Sequence, residues 1–113
     1  MAFVHLHNHT EYSLLDGLTH VKDMVRRAAD LDMPAVAITD HGVMSGVPEL
    51  CDACTAVEKE TGKKVKPIYG CEVYFTTDEE LRKDVKPKLY HLLLLAKTNE
   101  GYHNLLHLVS ESH

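Results

Sequence analysis

Apolar and polar positions in this chain follow two different periods, which predict strands and helices in turn. Four short stretches have the alternating or continuously apolar pattern of strands: residues 3–7, 34–39, 65–75 and 90–96. Three longer stretches have a helical period: residues 19–31, 47–60 and 99–110. The order of strand, helix, strand, helix, strand, strand and helix is typical of α/β folds with mostly parallel strands.

Local signals predict where these helices begin and end. Thr19 is a good N-cap for the first helix, and Pro48 fits the first turn of the second, where its missing N–H group is harmless. Residues 76–88 are charged and have no apolar period, so they predict a surface loop or a short exposed helix. The positions of the first and last helices expected to face the core are Val21, Met24, Val25, Ala28, Tyr102, Leu105, Leu106 and Val109.

Histidine is the unusual feature of the composition, with nine residues in 113. Three of them alternate in the stretch His5-Leu6-His7-Asn8-His9, so an extended strand would project all three imidazoles to one face. Three converging imidazoles fill a core poorly, whereas neutral imidazole is the commonest protein ligand for zinc-like ions. This stretch therefore predicts a metal site.

Further potential ligands fall where strands end and loops begin, which is the usual place of ligand sites in parallel α/β folds. Asp40 and His41 follow the second predicted strand, and Glu72 lies late in the third. Asp16 lies in the first strand-to-helix loop. Carboxylates together with imidazoles suit zinc, manganese or iron, and so many ligands would hold more than one ion. Such ions could clamp a phosphate and lower the pKa of a bound water, which gives a nucleophile at neutral pH.

Several of these residues have a second interpretation. His5 lies deeper in its strand, so it could orient a ligand by a hydrogen bond instead of binding metal. Asp40 could orient a ligating histidine or a bridging group, or it could cap a helix. Asp16 precedes a glycine and could simply form a turn. His103 and His107 could chelate a metal on the last helix, but they lie off its apolar face and are interpreted as solvated.

Charge and cysteine content narrow the classes of function. The formal net charge of −5 argues against a generally basic nucleic-acid-binding surface, so nucleic acid would have to be held through bound cations or other protein segments. Three cysteines without a signal peptide ahead of them predict the reducing cytoplasm, with Cys51 and Cys54 as buried structural thiols. The longest apolar run, residues 92–96, is far too short to cross a membrane.

These motifs resemble those of the polymerase and histidinol phosphatase (PHP) domain, a family of metal-dependent phosphoesterases. His7-x-His9 matches its first motif, Thr39-Asp40-His41 its second, and Gly70-Cys71-Glu72 the strand that carries its acidic ligand. His91 opens its apolar run, so it would reach the same end of the sheet only if the fourth strand is antiparallel. The metal positions that the resemblance implies are His7, His9, Asp16, His41, Glu72 and His91.

Within this family, the chain resembles most the branch that forms the amino-terminal segment of bacterial replicative DNA polymerases. That resemblance implies that residues 1–113 are a single domain, the first half of a distorted (β/α)7 TIM-like barrel within a longer chain. The family's later ligands, a Cys or His and then an Asp-x-His pair, have no counterpart here. We therefore expect the metal cluster to be incomplete unless another chain lends ligands. The polymerase's palm carboxylates and fingers have no counterpart either, so the fragment is not expected to polymerise DNA alone. Its open strand edges and apolar faces favour self-association.

The resemblance also implies a functional setting. For the full-length chain it implies DNA replication, with DNA-directed DNA polymerase (nucleotidyltransferase) activity that uses magnesium and with DNA and other replisome subunits as partners. For this domain it implies two or three divalent ions that support 3′–5′ exonuclease proofreading or pyrophosphate hydrolysis. Two alternatives stay open: a stand-alone phosphatase of the same family acting on a small phosphomonoester, and a non-catalytic structural or interaction module stabilised by metal.

Overall fold

The computed structural model describes residues 2–113, in which helices and strands alternate much as the sequence pattern predicts. The helices of this range are α1 (Val21–Asp30), α2 (Val47–Thr61), α3 (Asp78–Leu81) and α4 (Asn99–Glu111). The strands are β1 (Ala35–Ile38), β2 (Lys66–Phe75) and β3 (Tyr90–Leu95). The predicted α/β class is therefore confirmed.

The three strands form one sheet in the order β1-β2-β3. β1 pairs with β2 in parallel, and the connection between them runs through α2. β3 pairs with β2 in the antiparallel direction, after a connector that contains the short helix α3. The prediction of mostly parallel strands is therefore wrong for these residues, because the sheet has one pairing of each kind.

The predicted first strand, residues 3–7, does not form a regular strand. Its segment does lie beside β1, where the Ala37 N–H donates to the His5 carbonyl at 3.1 Å and the Thr39 N–H donates to the Asn8 carbonyl at 3.0 Å. Side chains replace the rest of the ladder, since the Asn8 amide donates to the Ala37 carbonyl (2.9 Å) and the Asn8 N–H donates to Thr39 Oγ1 (2.8 Å). The segment is thus held as an extended strap against β1.

The helices bury the sheet through their apolar faces, and one core cluster joins all three long helices to β1 and β2. α1 begins at Val21 after an N-cap residue, His20, whose side chain makes no capping hydrogen bond, so the prediction that Thr19 caps this helix is wrong. α2 has Pro48 in its first turn and ends at Gly62, which has a left-handed φ of 73°.

No helix within residues 2–113 is long and apolar enough to span a bilayer.

Candidate metal centre

The centre of the candidate site is the carboxylate of Glu72, whose side chain is 5% exposed. Its Oε2 lies 2.8 Å from His9 Nε2 and 2.8 Å from His41 Nδ1. Its Oε1 lies 3.2 Å from His91 Nδ1 and 3.5 Å from His7 Nε2. One buried carboxylate thus meets four imidazoles from three parts of the chain: two from the strap, one after β1 and one from β3.

The strap positions the first two imidazoles. Asn8, which lies between His7 and His9, is fixed to β1 by its main-chain and side-chain hydrogen bonds to Thr39 and Ala37. His7 and His9 flank the anchored Asn8, so both imidazoles reach the Glu72 carboxylate. The centroids of their rings are 5.1 Å apart. Their placement together agrees with the spacing that the sequence analysis singled out.

Asp16 reaches the site from a tight loop that follows the strap. The loop is closed by hydrogen bonds from the Asp16 and Gly17 N–H groups to the Ser13 carbonyl, at 3.1 Å and 2.8 Å. A Cβ on Gly17 would lie 1.9 Å from the Thr10 carbonyl oxygen, so only glycine fits there. Asp16 Oδ2 lies 2.5 Å from His41 Nε2 and 3.2 Å from His9 Nδ1. The hydrogen bond from His41 is the main reason that the pKa of Asp16 lies below its usual value.

Asp40 organises this loop and touches none of the imidazoles. Its carboxylate, buried with the residue 1% exposed, accepts hydrogen bonds from the Thr10 N–H (2.6 Å), the Thr10 hydroxyl (2.8 Å) and the Ser13 hydroxyl (2.8 Å). Ser13 Oγ in turn accepts from the His41 N–H at 3.1 Å, and the Asp40 carbonyl accepts from the Glu72 N–H at 3.0 Å. Among the described residues, Asp40 therefore acts on the site through the backbone of its neighbours, and it does not cap α2, whose N-cap is Gly46.

His91 enters the site because β3 is antiparallel. The register pairs His91 with Tyr74, two residues beyond Glu72 on β2, and this pairing turns the first part of β3 toward the same end of the sheet. The sequence analysis expected His91 to reach this end of the sheet only if its strand is antiparallel, and the strand is antiparallel.

His5, in contrast, lies away from the cluster. Its ring packs edge-on against Phe3 at 4.7 Å and lines a cavity of about 330 Å³ against α1 that includes Asp23, Met24 and Arg27. The prediction that it shares a face with His7 and His9 is wrong, because the strap lacks the regular alternation of a β-strand.

Tyr74 is the residue at this site that the sequence analysis missed. Its hydroxyl oxygen lies 3.2 Å from His41 Nδ1, and its ring meets the His91 ring edge-on at 4.8 Å. Its spacing could have indicated this, because on a strand the residue two positions after Glu72 points to the same face as Glu72.

The remaining sequence candidates lie outside the cluster. His103 and His107 are exposed on α4, as expected for a solvated pair. Cys54 and Cys71 are buried, and burial raises the pKa of the Cys54 thiol to about 11. Cys51 is exposed, so the prediction that it is buried with Cys54 is wrong: it lies on the outer face of α2.

The geometry meets a simple test of whether a cation fits. Two groups of ligand atoms converge within 4.8 Å, one from His7, His9 and Glu72 and the other from His9, Asp16 and His41. Burial alone would raise the pKa of Glu72, but the charge of His41 and the hydrogen bond and charge of His9 outweigh it and lower that pKa. The donor set of imidazole nitrogens and ionised carboxylates is the one that zinc, manganese and iron prefer, so the residues present fit such ions.

Comparison with known proteins agrees with this chemistry. The family model of the PHP domain matches residues 5–113. The chain is 45% identical over 109 residues to DNA polymerase III subunit alpha of Helicobacter pylori (strain ATCC 700392 / 26695), which covers 96% of this chain and 8% of that protein. It is 39% identical over 116 residues to the same subunit of Treponema pallidum (strain Nichols), covering 100% of this chain and 9% of that protein. The chain thus spans less than a tenth of the length of these relatives.

A solved structure gives the same answer for the fold. It belongs to a protein of Bifidobacterium adolescentis described as a proposed metal-dependent phosphoesterase, with a TM-score of 0.59 and 25% sequence identity. The match covers 92% of this chain and 32% of that protein. Because the family model covers nearly the whole chain and the fold agrees, this chain belongs to the PHP domain family.

Proposed function

We propose that the cluster around Glu72 is the metal centre of a phosphoesterase, with His7, His9, Asp16, His41, Glu72 and His91 as the ligands of two or three divalent ions. Zinc, manganese and iron are the ions that suit this donor set. The similarity to a proposed metal-dependent phosphoesterase and the membership of the PHP family support the reaction class.

One observation carries this proposal: both ring nitrogens of His9 and of His41 face carboxylate oxygens. A neutral imidazole has a single N–H group, so each ring would turn one lone pair toward an anionic oxygen. Protonating both rings removes that conflict but places two cations side by side, since the ring centroids are 3.9 Å apart. A divalent ion between the nitrogens and the oxygens would satisfy every lone pair at once, which makes a metal the better explanation.

The serine and the cysteine described beside the cluster are not placed to attack a substrate, which favours water as the attacking group. The Ser13 hydroxyl is buried and donates to Asp40, so it cannot reach a substrate. The Cys71 thiol is fully buried and faces the Asp40 carbonyl, and burial raises its pKa. An ion held at this site would lower the pKa of a bound water and neutralise charge on a phosphoryl group. Glu72 and Asp16 would supply carboxylate oxygens to the ions beside the imidazole nitrogens.

The wider setting we propose rests on the similarity to DNA polymerase III subunit alpha. In this proposal, residues 1–113 are one PHP domain, the first half of a TIM-like barrel that further chain would complete within a cytoplasmic replicative polymerase. The full-length chain would carry the magnesium-dependent nucleotidyltransferase activity and contact DNA and other replisome subunits. The metal centre would serve 3′–5′ exonuclease proofreading or pyrophosphate hydrolysis.

The first test is elemental analysis of the purified, untagged chain by mass spectrometry, after incubation with zinc or manganese and removal of free ions. We expect two or more equivalents in the wild type and a loss of most of them in the double variant His7→Ala/His9→Ala. The matched control is His103→Ala/His107→Ala, which removes two exposed histidines on α4 and should keep the metal.

The reaction class is then tested on the metal-loaded protein with 3′-ended DNA and with pyrophosphate. Folded wild type that retains no metal would contradict the proposed centre for this chain. Bound metal without any hydrolysis, together with unfolding on chelation, would instead support the structural module.

A further inference from the structure

The phenol of Tyr74 forms one wall of the Glu72 cluster. Tyr74 lies two residues after Glu72 on β2 and directly opposite His91 on β3, so all three side chains share one face of the hairpin. Its ring is nearly parallel to that of His41, with 8° between the planes and 6.0 Å between the centroids. The residue is 49% exposed, so its hydroxyl lies where the buried carboxylate meets solvent.

The hydrogen bonding of His41 fixes the role of the Tyr74 oxygen. When His41 binds a metal through Nε2, its remaining N–H group lies on Nδ1, which is 2.8 Å from Glu72 Oε2. The Tyr74 oxygen, 3.2 Å from the same nitrogen, is therefore an acceptor toward it. Within residues 2–113, the Tyr74 hydroxyl makes no other hydrogen bond, so its proton is available to a group that enters the exposed side of the site.

In the described part of the chain, neither Glu72 nor Asp16 forms an ion pair with a lysine or an arginine, and all their charged partners are histidines. A phosphate group placed against the ligands would therefore need a donor for its outer oxygens, and Tyr74 has one to offer.

We propose that the Tyr74 hydroxyl donates a hydrogen bond to a non-bridging phosphoryl oxygen of the substrate, while its oxygen holds His41 in place. This inference rests on the proposed phosphoesterase function and adds a substrate-contacting residue to it. The ligand class it recognises is a phosphate ester or its product, inorganic phosphate.

The test titrates inorganic phosphate into the zinc-loaded chain by calorimetry and compares wild type with Tyr74→Phe, which removes only the hydroxyl. Because hydrogen bonds to charged groups are the stronger ones, we expect phosphate affinity to fall about tenfold or more, with the metal content unchanged. The matched control is Tyr90→Phe on β3, whose ring packs against Phe75 on the other face of the hairpin at 5.5 Å and should bind phosphate like wild type.

A second measurement on the metal-free protein separates this inference from the proposed function. Nitrogen-15 spectra of the histidine rings should show a shift of the His41 resonances in Tyr74→Phe and none in Tyr90→Phe. Identical His41 resonances in Tyr74→Phe and wild type, or equal phosphate affinity at equal metal content, would overturn the inference. Failure of the wild type to take up metal would overturn the proposed function, and the ring resonances would then decide the Tyr74 contact on their own.

Discussion

Leu15 has a backbone conformation that leucine rarely adopts. Its φ is 71°, in the left-handed region, and its side chain is fully exposed beside Asp16. For an L-residue with a Cβ this conformation costs about 1–2 kcal/mol, and no burial of the side chain offsets it here. Strained residues of this kind collect at functional sites, where the surrounding contacts hold them. In this loop the strain accompanies the turn that brings Asp16 to His41.

We predict that Leu15→Asn raises the free energy of unfolding by about 1 kcal/mol, because asparagine tolerates the left-handed region. Urea unfolding of the metal-free protein measures it. Leu14→Asn is the control, since Leu14 is also exposed but has no positive φ, and its effect should stay within about 0.5 kcal/mol. Equal effects of the two substitutions would mean that the loop is not strained at Leu15.

For single residues, the sequence predicts which side chains gather at the site better than it predicts where each of them points. The spacing of His7 and His9 and the strand-end position of His41 and Glu72 are enough to expect these side chains together, because the ends of neighbouring strands meet. Their role as metal ligands stays a prediction. The displacement of His5 was not predictable, since it depends on how the Asn8 side chain replaces strand pairing.

Gly70 lies opposite Leu95 in the β2–β3 pairing, at a position with no room for a side chain. A Cβ at this position would lie 2.6 Å from the Leu94 carbonyl oxygen and 2.7 Å from the Leu95 side chain. We predict that Gly70→Ala lowers the free energy of unfolding by about 1–3 kcal/mol, because backbone on the partner strand must move. Urea or thermal unfolding followed by circular dichroism measures it.

The control for this prediction is Gly101→Ala in the first turn of α4. A Cβ there meets nothing closer than 3.6 Å, so the substitution should raise stability by up to about 1 kcal/mol through helix propensity. Destabilisation of similar size at both positions would show that the Gly70 contact does not matter.

Elements with strong local signals were predicted well, and those set by distant partners were not. Pro48 and Gly62 mark the two ends of α2, so its limits follow from local chemistry. The direction of β3 has no local signal, because an apolar run such as residues 90–95 pairs equally well in either sense. The absence of a first strand likewise depends on the contacts of the strap with Thr39, more than thirty positions away.

As a whole, the molecule is more extended than a self-contained domain of its length. Its radius of gyration is 15.9 Å, against about 13 Å for a compact chain of similar size, and it measures 56 × 29 × 28 Å. β3 lies at the end of the sheet, and leucines on it such as Leu92 are 43% exposed. Open sheet edges and exposed apolar side chains favour association with another chain.

We predict that the isolated chain forms dimers or larger species at micromolar concentration, and that Leu92→Lys on the edge strand shifts it toward monomer. Light scattering coupled to size-exclusion chromatography measures the mass. The control is Leu31→Lys at the end of α1, which is similarly exposed but lies away from β3 and should leave the mass unchanged. A monomeric wild type would contradict the prediction.

The reversal of strand direction between β2 and β3 also bears on how the site forms. His9 and Glu72 are 63 positions apart, and His91 joins them only after β3 has folded back along β2. Contacts between such distant positions close late in folding, because the entropy of large loops must be overcome first. An ion that arrives early would meet only His7 and His9 on a flexible segment, which is too few ligands for tight binding. For the metal centre proposed above, we therefore expect loading to follow folding, so that bound metal would report that the whole chain has reached its native topology.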